Sequence, residues 1–312
     1  MNETRQEILE ALADGPVSGP ELADALDISR AAVWKHIEAL READFEIESG
    51  SNGYELGEIT AYNGPAVEFG LEAPFSVEYH DSVKSTNDRA RELAADGAAD
   101  VAVLADEQVG SRGRLEREWT APSGGVWVSV ISRPEITPAQ APLYTLASAV
   151  AAATAAREAG VDARIKWPND VVVPVGDDGD YRKLTGILTE MEGEMDRVEW
   201  IIVGVGVNAN IDADTLPEGA TSIRDEAGDV DRRRFVQRFL EEFDRYRNDL
   251  EAIVPAWREL SHTLGQRVRV DQPSGEVIGD AVDVTDSGAL IIETDEGRET
   301  VSAGDCEHLR PV

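Results

Sequence analysis

The sequence predicts an α+β protein of three successive zones, and three observations carry that prediction. Residues 1–60 hold three short amphipathic segments and then an alternating stretch around Asn52-Gly53. Residues 66–262 mix strand-length apolar runs with helices. Residues 263–312 fall into five short strand-like runs separated by "PSG", "DSG" and "DEG". A chain of 312 residues exceeds the usual single domain, and its 42% hydrophobic content is enough to build several cores.

In the first zone, "TRQEILEAL" spaces Ile8, Leu9 and Leu12 along one helical face. "SGPELADALDIS" begins with Ser18 as N-cap, carries Pro20 in the first turn, and turns Leu22, Ala25 and Leu26 inward. "SRAAVWKHIEALREA" starts at Ser29 and sets Val33, Ile37 and Leu40 on one side. "FEIESGSNGYEL" then alternates around Asn52-Gly53, the signal for a hairpin turn. Helix, helix-turn-helix and hairpin make a winged helix-turn-helix pattern. Charge pulls the other way, toward a three-helix module without nucleic acid, because residues 1–60 hold four basic and fourteen acidic side chains. Yet three of those four cations, Arg30, Lys35 and Arg41, lie with His36 on the third segment, where a major-groove reader needs them.

The central zone offers strands at "SVEYHDSV", "DVAVLADEQ", "GVWVSVISR", "ARIKWPNDVVV", "KLTGILTEME" and "RVEWIIVGVGVN", and helices over 86–96, 138–159 and 231–262. Long strands close together in sequence predict a mainly antiparallel sheet. "PVGDDGDY" (174–181) reads as an acidic turn between two strands. The five C-terminal runs suit a small barrel of SH3-like kind.

The formal charge of −33, from 62 acidic and 29 basic residues, leaves only four lysines: Lys35, Lys84, Lys166 and Lys183. Regular apolar periodicity throughout excludes a disordered acidic chain. Such acidity instead fits a salt-rich cytoplasm, where the Debye length shrinks to about 3 Å near 1 M salt. "TLASAVAAATAA" (145–156) is too short for a membrane span and reads as a packed helix. Acidic residues stand where an export signal has a basic region, so a cytoplasmic location is expected. Cys306, the single cysteine, excludes an intrachain disulfide and a cysteine-cluster metal site.

Five segments carry chemistry. "EQVGSRGRLEREW" (107–119) concentrates Arg112, Arg114 and Arg117 around Gly110 and Gly113, and guanidinium groups pair with phosphate or carboxylate. "DSVKSTND" places Ser85, Thr86 and Asn87 where a strand turns into a helix, more polar groups than a cap requires. "RIKWPND" gathers Lys166, Trp167, Asn169 and Asp170 around a proline. "YRKLTGIL" puts Lys183 at the head of an apolar strand, with Gly186 open to a ligand. "GVGVNAN" lacks the helix and third glycine of a dinucleotide fingerprint, which excludes that reading and leaves Asn208 as a base contact. Arg112, Arg114, Lys166 and Lys183 together suit attack of a carboxylate on the α-phosphate of ATP, where fixed cations stabilise the developing charge.

These segments together resemble the bifunctional biotin–protein ligase and biotin operon repressor family. "GSRGRLEREW" is similar to that family's GRGRxGRxW loop, "KWPND" is intact at 166–170, "KLTGIL" matches KxxGIL, and "GVGVN" matches GxGxN. "STN" opens the site, and "SRAAVWKHI" resembles the family's recognition helix. The resemblance implies that Ser85, Thr86, Asn87 and Gln108 meet the biotin ureido group or its surroundings, and that Gly186 belongs to the biotin site. It implies that Arg112, Gly113 and Arg114 form a loop closing over biotinyl-adenylate, and that Trp119 and Asn208 hold adenine. Lys183 would bridge the biotin carboxylate and α-phosphate, Asp170 would take a proton from the incoming carrier lysine, and Lys166 and Asn169 would lie on the nucleotide side. ATP with Mg²⁺, a biotin carboxyl carrier domain, operator DNA read by Arg30, Lys35 and His36, and a homodimer follow as implied partners. Two departures stand out: Gly110-Ser111 replaces the usual Ala-Gly, and Glu116 replaces a glycine between the arginines. The boundaries expected are 1–60, 66–262 and 263–312. The rival readings are a lipoate-type ligase on the same central fold and a ligand-sensing repressor without catalysis.

Overall fold

The computed structural model describes residues 1–113, 119–176, 180–273 and 275–309. The chain forms two compact units, 1–72 and 73–312.

In the first unit, α1 (Glu3–Ala13), α2 (Gly19–Ala25) and α3 (Arg30–Arg41) precede a hairpin of β1 (Ile47–Gly50) and β2 (Gly53–Leu56). Ser18 caps α2 in a reciprocal box with Glu21, and Ser29 caps α3 through the Ala32 amide. Ile8, Leu9, Leu12, Val33, Ile37 and Leu40 form one buried core, as their spacing predicts. On α2, Ala23 is buried and Ala25 exposed, so the inward alanine is two residues earlier than expected. The hairpin forms, but Gly50 pairs with Gly53 and the two-residue loop is Ser51-Asn52, not Asn52-Gly53. Gly53 answers another need. At φ +117°, a Cβ there would fall 2.3 Å from the Val17 carbonyl oxygen, which accepts the Tyr54 amide at 2.9 Å. A short helix absent from the expected elements, α4 (Gly64–Glu68), follows; its Ala66 and the succeeding Phe69 pack on this core.

The second unit is built on a seven-stranded sheet. Its strands are β3 (Ser76–Val83), β4 (Val101–Gln108), β5 (Val126–Ser132), β6 (Arg164–Lys166), β7 (Asp170–Val175), β8 (Asp180–Gly193) and β9 (Val198–Val207), in the order β3-β4-β5-β9-β8-β7-β6. Only β3 and β4 run parallel, joined through α5 (Thr86–Ala95); the other pairs are antiparallel. The expected strand over 163–173 is two strands with a turn at Trp167-Pro168-Asn169, and the peptide before Pro168 is cis. Alanine-rich α6 (Ala141–Glu158) is buried on nearly every side, which its small side chains permit. No described helix is long and apolar enough to cross a membrane.

The helix expected over 231–262 is also two: α7 (Ile223–Ala227) precedes α8 (Arg232–Arg247), and α9 (Leu250–Leu260) follows. Asn248 ends α8, donating from its side chain to the Asp244 carbonyl, and Asp249 leaves helical geometry at φ −139°, ψ 77°. An amphipathic pattern continuing on both sides hides such a break. A five-stranded antiparallel sheet ends the unit: β10 (Arg267–Gln272), β11 (Gly275–Val284), β12 (Leu290–Thr294), β13 (Gly297–Val301) and β14 (Asp305–His308). It is fastened to the seven-stranded sheet through Trp167. The Trp167 amide donates to Thr263 Oγ1 at 2.9 Å and its indole nitrogen to the Gly288 carbonyl at 3.0 Å.

Candidate functional site

One cavity of about 500 Å³ opens in the second unit where α5, β8, β9 and β14 converge. Its polar end is set by the start of α5. Ser85 accepts the Asp88 amide at 3.3 Å as N-cap, which brings Thr86 and Asn87 into the first turn facing the sheet. Gln108, at the end of β4, accepts the Thr86 amide at 2.8 Å. Asn87 donates to Glu190 Oε2 at 3.0 Å and to the Leu188 carbonyl at 3.4 Å. Ser85, Thr86 and Asn87 are nearly buried, and all three line the cavity with Gln108.

The floor is made of glycines. A Cβ on Gly186 would sit 3.0 Å from the Trp119 ring, and one on Gly206 would sit 3.0 Å from Trp119 Nε1. The Trp119 indole therefore lies flat on bare backbone of β8 and β9, with its buried Nε1 lacking a partner among the described residues. On Gly204, a Cβ would fall 2.1 Å from Asn87 Oδ1. Three glycines thus serve close approach, two to an aromatic ring and one to an amide.

The charged end centres on Lys183. Its Nζ stands 2.7 Å from Asp170 Oδ1, as an ion contact off the line of a hydrogen bond, and 5.1 Å from the Trp119 ring centre. The segment 216–220 lines the cavity over it: Lys183 donates its amide to the Gly219 carbonyl at 2.8 Å, and its carbonyl accepts the Thr221 amide at 2.9 Å. Buried Asn208 secures that segment by donating to the Thr221 carbonyl at 2.9 Å. Asn169 is tied to β8, donating to the Ile187 carbonyl at 2.8 Å while its own carbonyl accepts the Ile187 amide.

Lys166 is 6% exposed and lies over the Tyr181 ring at 5.4 Å, with no carboxylate within 4 Å among the described residues. Burial, then the charge of Asp170, pushes the Tyr181 phenol up to about 12. Burial likewise raises the Cys306 thiol to about 11, against the opposing pull of Lys166. An acidic protein thus keeps a buried cation at the wall of this cavity.

The arginine loop is fixed at its neck. Gln108 pairs with Ala121, the Gly110 amide donates to the Lys84 carbonyl at 2.9 Å, and Ser111 Oγ donates to the Trp119 carbonyl at 2.6 Å. Arg112 and Gly113 line the cavity, and Arg112 approaches Asp88 at 3.7 Å. Arg114, Glu116 and Arg117 lie outside the described residues, as do 177–179 in the acidic turn.

The cavity therefore gathers Ser85, Thr86, Asn87, Gln108, Arg112, Gly113, Trp119, Lys166, Asn169, Asp170, Lys183, Gly186 and Asn208, from five stretches of sequence. Sequence reasoning missed the segment 216–220, Tyr181, and the β14 residues Asp305, Cys306 and Glu307. It also missed Ser129, which contacts Thr86 and Asn87 from behind. Apart from Tyr181, which opens the "YRKLTGIL" segment, none of these sits in a motif; Leu216-Pro217-Glu218-Gly219 reads as an ordinary turn, and β14 as a barrel edge.

In the first unit, Arg30, Trp34 and Lys35 are exposed on α3, and His36 is half-buried. Arg41 is occupied: it donates to the Ile47 carbonyl at 2.9 and 2.6 Å and to Ser49 at 2.9 Å, and pairs with Glu38.

Residues 79–208 match the biotin/lipoate A/B protein ligase family, 263–309 the biotin protein ligase C-terminal domain, and 4–55 an HTH domain. The chain is 36% identical to the bifunctional ligase/repressor BirA of Bacillus subtilis, over 93% of each protein. It is 29% identical to BirA of Escherichia coli, over 92% of each. In structure it is similar to the biotin protein ligase from Aquifex aeolicus in complex with biotin and ATP. That match has a TM-score of 0.62 and 26% identity, and covers 75% of this chain and 99% of the other.

Proposed function

The chain belongs to the bifunctional BirA ligase/repressor family, and we propose that it is a biotin–protein ligase acting in two steps. The biotin carboxylate attacks the α-phosphorus of ATP, pyrophosphate leaves, and biotinyl-5′-AMP forms. The ε-amine of a carrier lysine then attacks the biotinyl carbonyl carbon, AMP departs, and an amide remains.

The observation that carries this reading is the position of Lys183 beside Asp170 in a cavity with donors at one end and cations at the other. Lys183 stabilises charge building on the phosphoryl oxygens and turns the biotin carboxylate toward phosphorus. Asp170, 2.7 Å away, is the group we assign to take the proton of the attacking lysine. Ser85, Thr86, Asn87 and Gln108 form the ureido end, and Gly186 lets the ligand rings approach the backbone. Arg112 and Gly113, with Arg114 from sequence alone, close over the adenylate. Trp119 and Asn208 are assigned to adenine, and Lys166 and Asn169 to the phosphates. Mg²⁺ would enter with ATP. It keeps several waters and needs only one or two carboxylates when phosphates supply other ligands, and Asp170, Glu218, Asp305 and Glu307 line the cavity.

The N-terminal unit we assign to operator DNA, with Arg30, Lys35 and His36 on α3 as the contacting residues and a homodimer spanning two half-sites. The acidic composition we read as adaptation to a salt-rich cytoplasm, and the terminal five-stranded sheet as an SH3-like barrel. We propose the functional divisions 1–60, 66–262 and 263–312, with residues 66–72 belonging by their packing to the first unit.

The test is one assay in high KCl: purified protein, ATP, a biotin carrier domain, and either biotin or lipoate. Streptavidin-detectable carrier with biotin alone is expected. Lipoyl transfer would overturn the substrate assignment, and biotin binding without transfer would favour a non-catalytic sensor.

A further inference from the structure

Behind the polar end of the cavity lies a side chain that touches no cavity space. Ser129, at the centre of β5, is fully buried, and its Oγ lies 2.6 Å from Asn87 Oδ1 and 2.7 Å from Thr86 Oγ1. Three hydroxyl and amide groups at such distances leave few proton arrangements, and counting donors decides between them.

The Asn87 amide is oriented first. Its nitrogen faces Glu190 Oε2 and the Leu188 carbonyl, both acceptors only. Glu190 is itself gripped by Arg91 at 2.7 and 2.9 Å. Asn87 Oδ1 therefore faces Ser129, whose hydroxyl donates to it. Ser129 Oγ also donates toward Thr86 Oγ1 at 2.7 Å, so its one proton is shared between Asn87 and Thr86. Gln108 Oε1 accepts both the Thr86 amide at 2.8 Å and the Thr86 hydroxyl at 3.1 Å. Among the described residues nothing binds Gln108 Nε2.

We propose that Ser129 is a positioning residue for biotin recognition: by donating to Thr86 Oγ1 and Asn87 Oδ1 it fixes Asn87 and turns the Thr86 proton onto Gln108 Oε1, leaving Gln108 Nε2 and the Ser85 hydroxyl as the donors offered to the ligand. The proposal rests on the ligase reading above. Asn87 in turn becomes a strut. Both its ends are occupied, and Gly204 leaves room for its oxygen and nothing larger. Removing the Ser129 hydroxyl leaves Asn87 Oδ1 without its donor and frees the Thr86 hydroxyl to turn away from Gln108. The polar end then loses one fixed arrangement and gains two competing ones.

The experiment is isothermal titration of biotin into the full-length protein without ATP, followed by steady-state kinetics with a carrier domain. Ser129→Ala is expected to weaken biotin about tenfold, the effect of one buried hydrogen bond, with KM for ATP and kcat at saturating biotin within about twofold of wild type. A structural role alone would lower kcat and affinity for both substrates together. Glu190→Ala, at the half-exposed end of the network, is expected to weaken biotin by about threefold with the same split. It decides the matter if Ser129→Ala does not fold. Wild-type titration separates the two levels: no biotin binding by wild type removes the ligase reading and this relay with it. Normal wild-type binding with unchanged or evenly weakened substrates in the variants overturns the relay alone.

Discussion

Lys183 Nζ stands between a carboxylate and an aromatic face, 2.7 Å from Asp170 Oδ1 and 5.1 Å from the Trp119 ring centre. The three residues come from β8, β7 and the end of the arginine loop, and the cation is the point at which they meet. An anionic ligand entering the cavity competes with Asp170 for Lys183 and with Gly186 and Gly206 for the Trp119 ring. On the proposed mechanism, ligand binding and release of Asp170 are thereby coupled, and the second step as proposed uses the freed carboxylate.

Lys183→Ala is expected to lower adenylate synthesis by on the order of a thousandfold, with little change in thermal stability. The pair is partly solvent-exposed, so its loss costs the fold little. Biotin-dependent pyrophosphate release is the measurement, and a rate near wild type would remove Lys183 from the chemistry.

Ser111 departs from the family's usual glycine, and its hydroxyl closes the loop neck on the Trp119 carbonyl at 2.6 Å. A pre-ordered neck lowers the entropy lost when the loop closes. Ser111→Gly is therefore expected to retain adenylate synthesis and release biotinyl-AMP several-fold faster, by about one hydrogen bond's worth. Labelling of bystander lysines by free adenylate reads that loss. Retention equal to wild type would show that the neck does not govern closure.

The parts of this site legible in the sequence are those where a motif concentrates unusual side chains. Lys166, Asp170, Lys183 and the Ser85-Thr86-Asn87 run stand out because polar groups crowd where a strand or cap needs few. Ser129 cannot be found that way. It is one small residue in an apolar strand, and only the antiparallel pairing of β5 with β9 and the packing of α5 bring it to Asn87. The break at Asn248-Asp249 is hidden because the amphipathic pattern runs through it. Gly53 misleads because the reach of Val17 across the hairpin is a tertiary fact, and Asn-Gly usually marks the turn itself.

Cys306 gives a pH dependence with a definite sign. Burial raises its folded pKa from 9.0 to about 11, so the unfolded chain releases this proton first. The neutral thiol's contribution is complete below pH 9 and declines as pH rises toward about 11. Urea unfolding of wild type and Cys306→Ala should show wild type losing about 1 kcal/mol more than the variant between about pH 8 and pH 10. Equal losses would mean that the thiol titrates alike in both states.

The N-terminal unit poses the sharpest conflict between pattern and charge. Fourteen acidic against four basic residues in 1–60 repel DNA at low salt. Salt at molar strength screens that repulsion and also shrinks the gain from counterion release. Binding must then come from short-range contacts on α3. Arg41 is excluded from that surface by its bonds to Ile47, Ser49 and Glu38, which tie α3 to β1. Arg30 and Lys35 remain, with Trp34, 55% exposed, between them. Arg30→Ala/Lys35→Ala is expected to abolish footprinting of the protein's own biotin-gene promoter at high KCl with biotinyl-AMP present, and to leave carrier biotinylation unchanged. Each single variant should lower the salt slope of binding by about one, as a lost phosphate contact does. Arg41→Ala should act differently, lowering the unfolding midpoint of this unit before it touches the salt slope. Protection persisting in the double variant would move the DNA contacts off α3, and absence of protection by wild type would leave this unit without an operator.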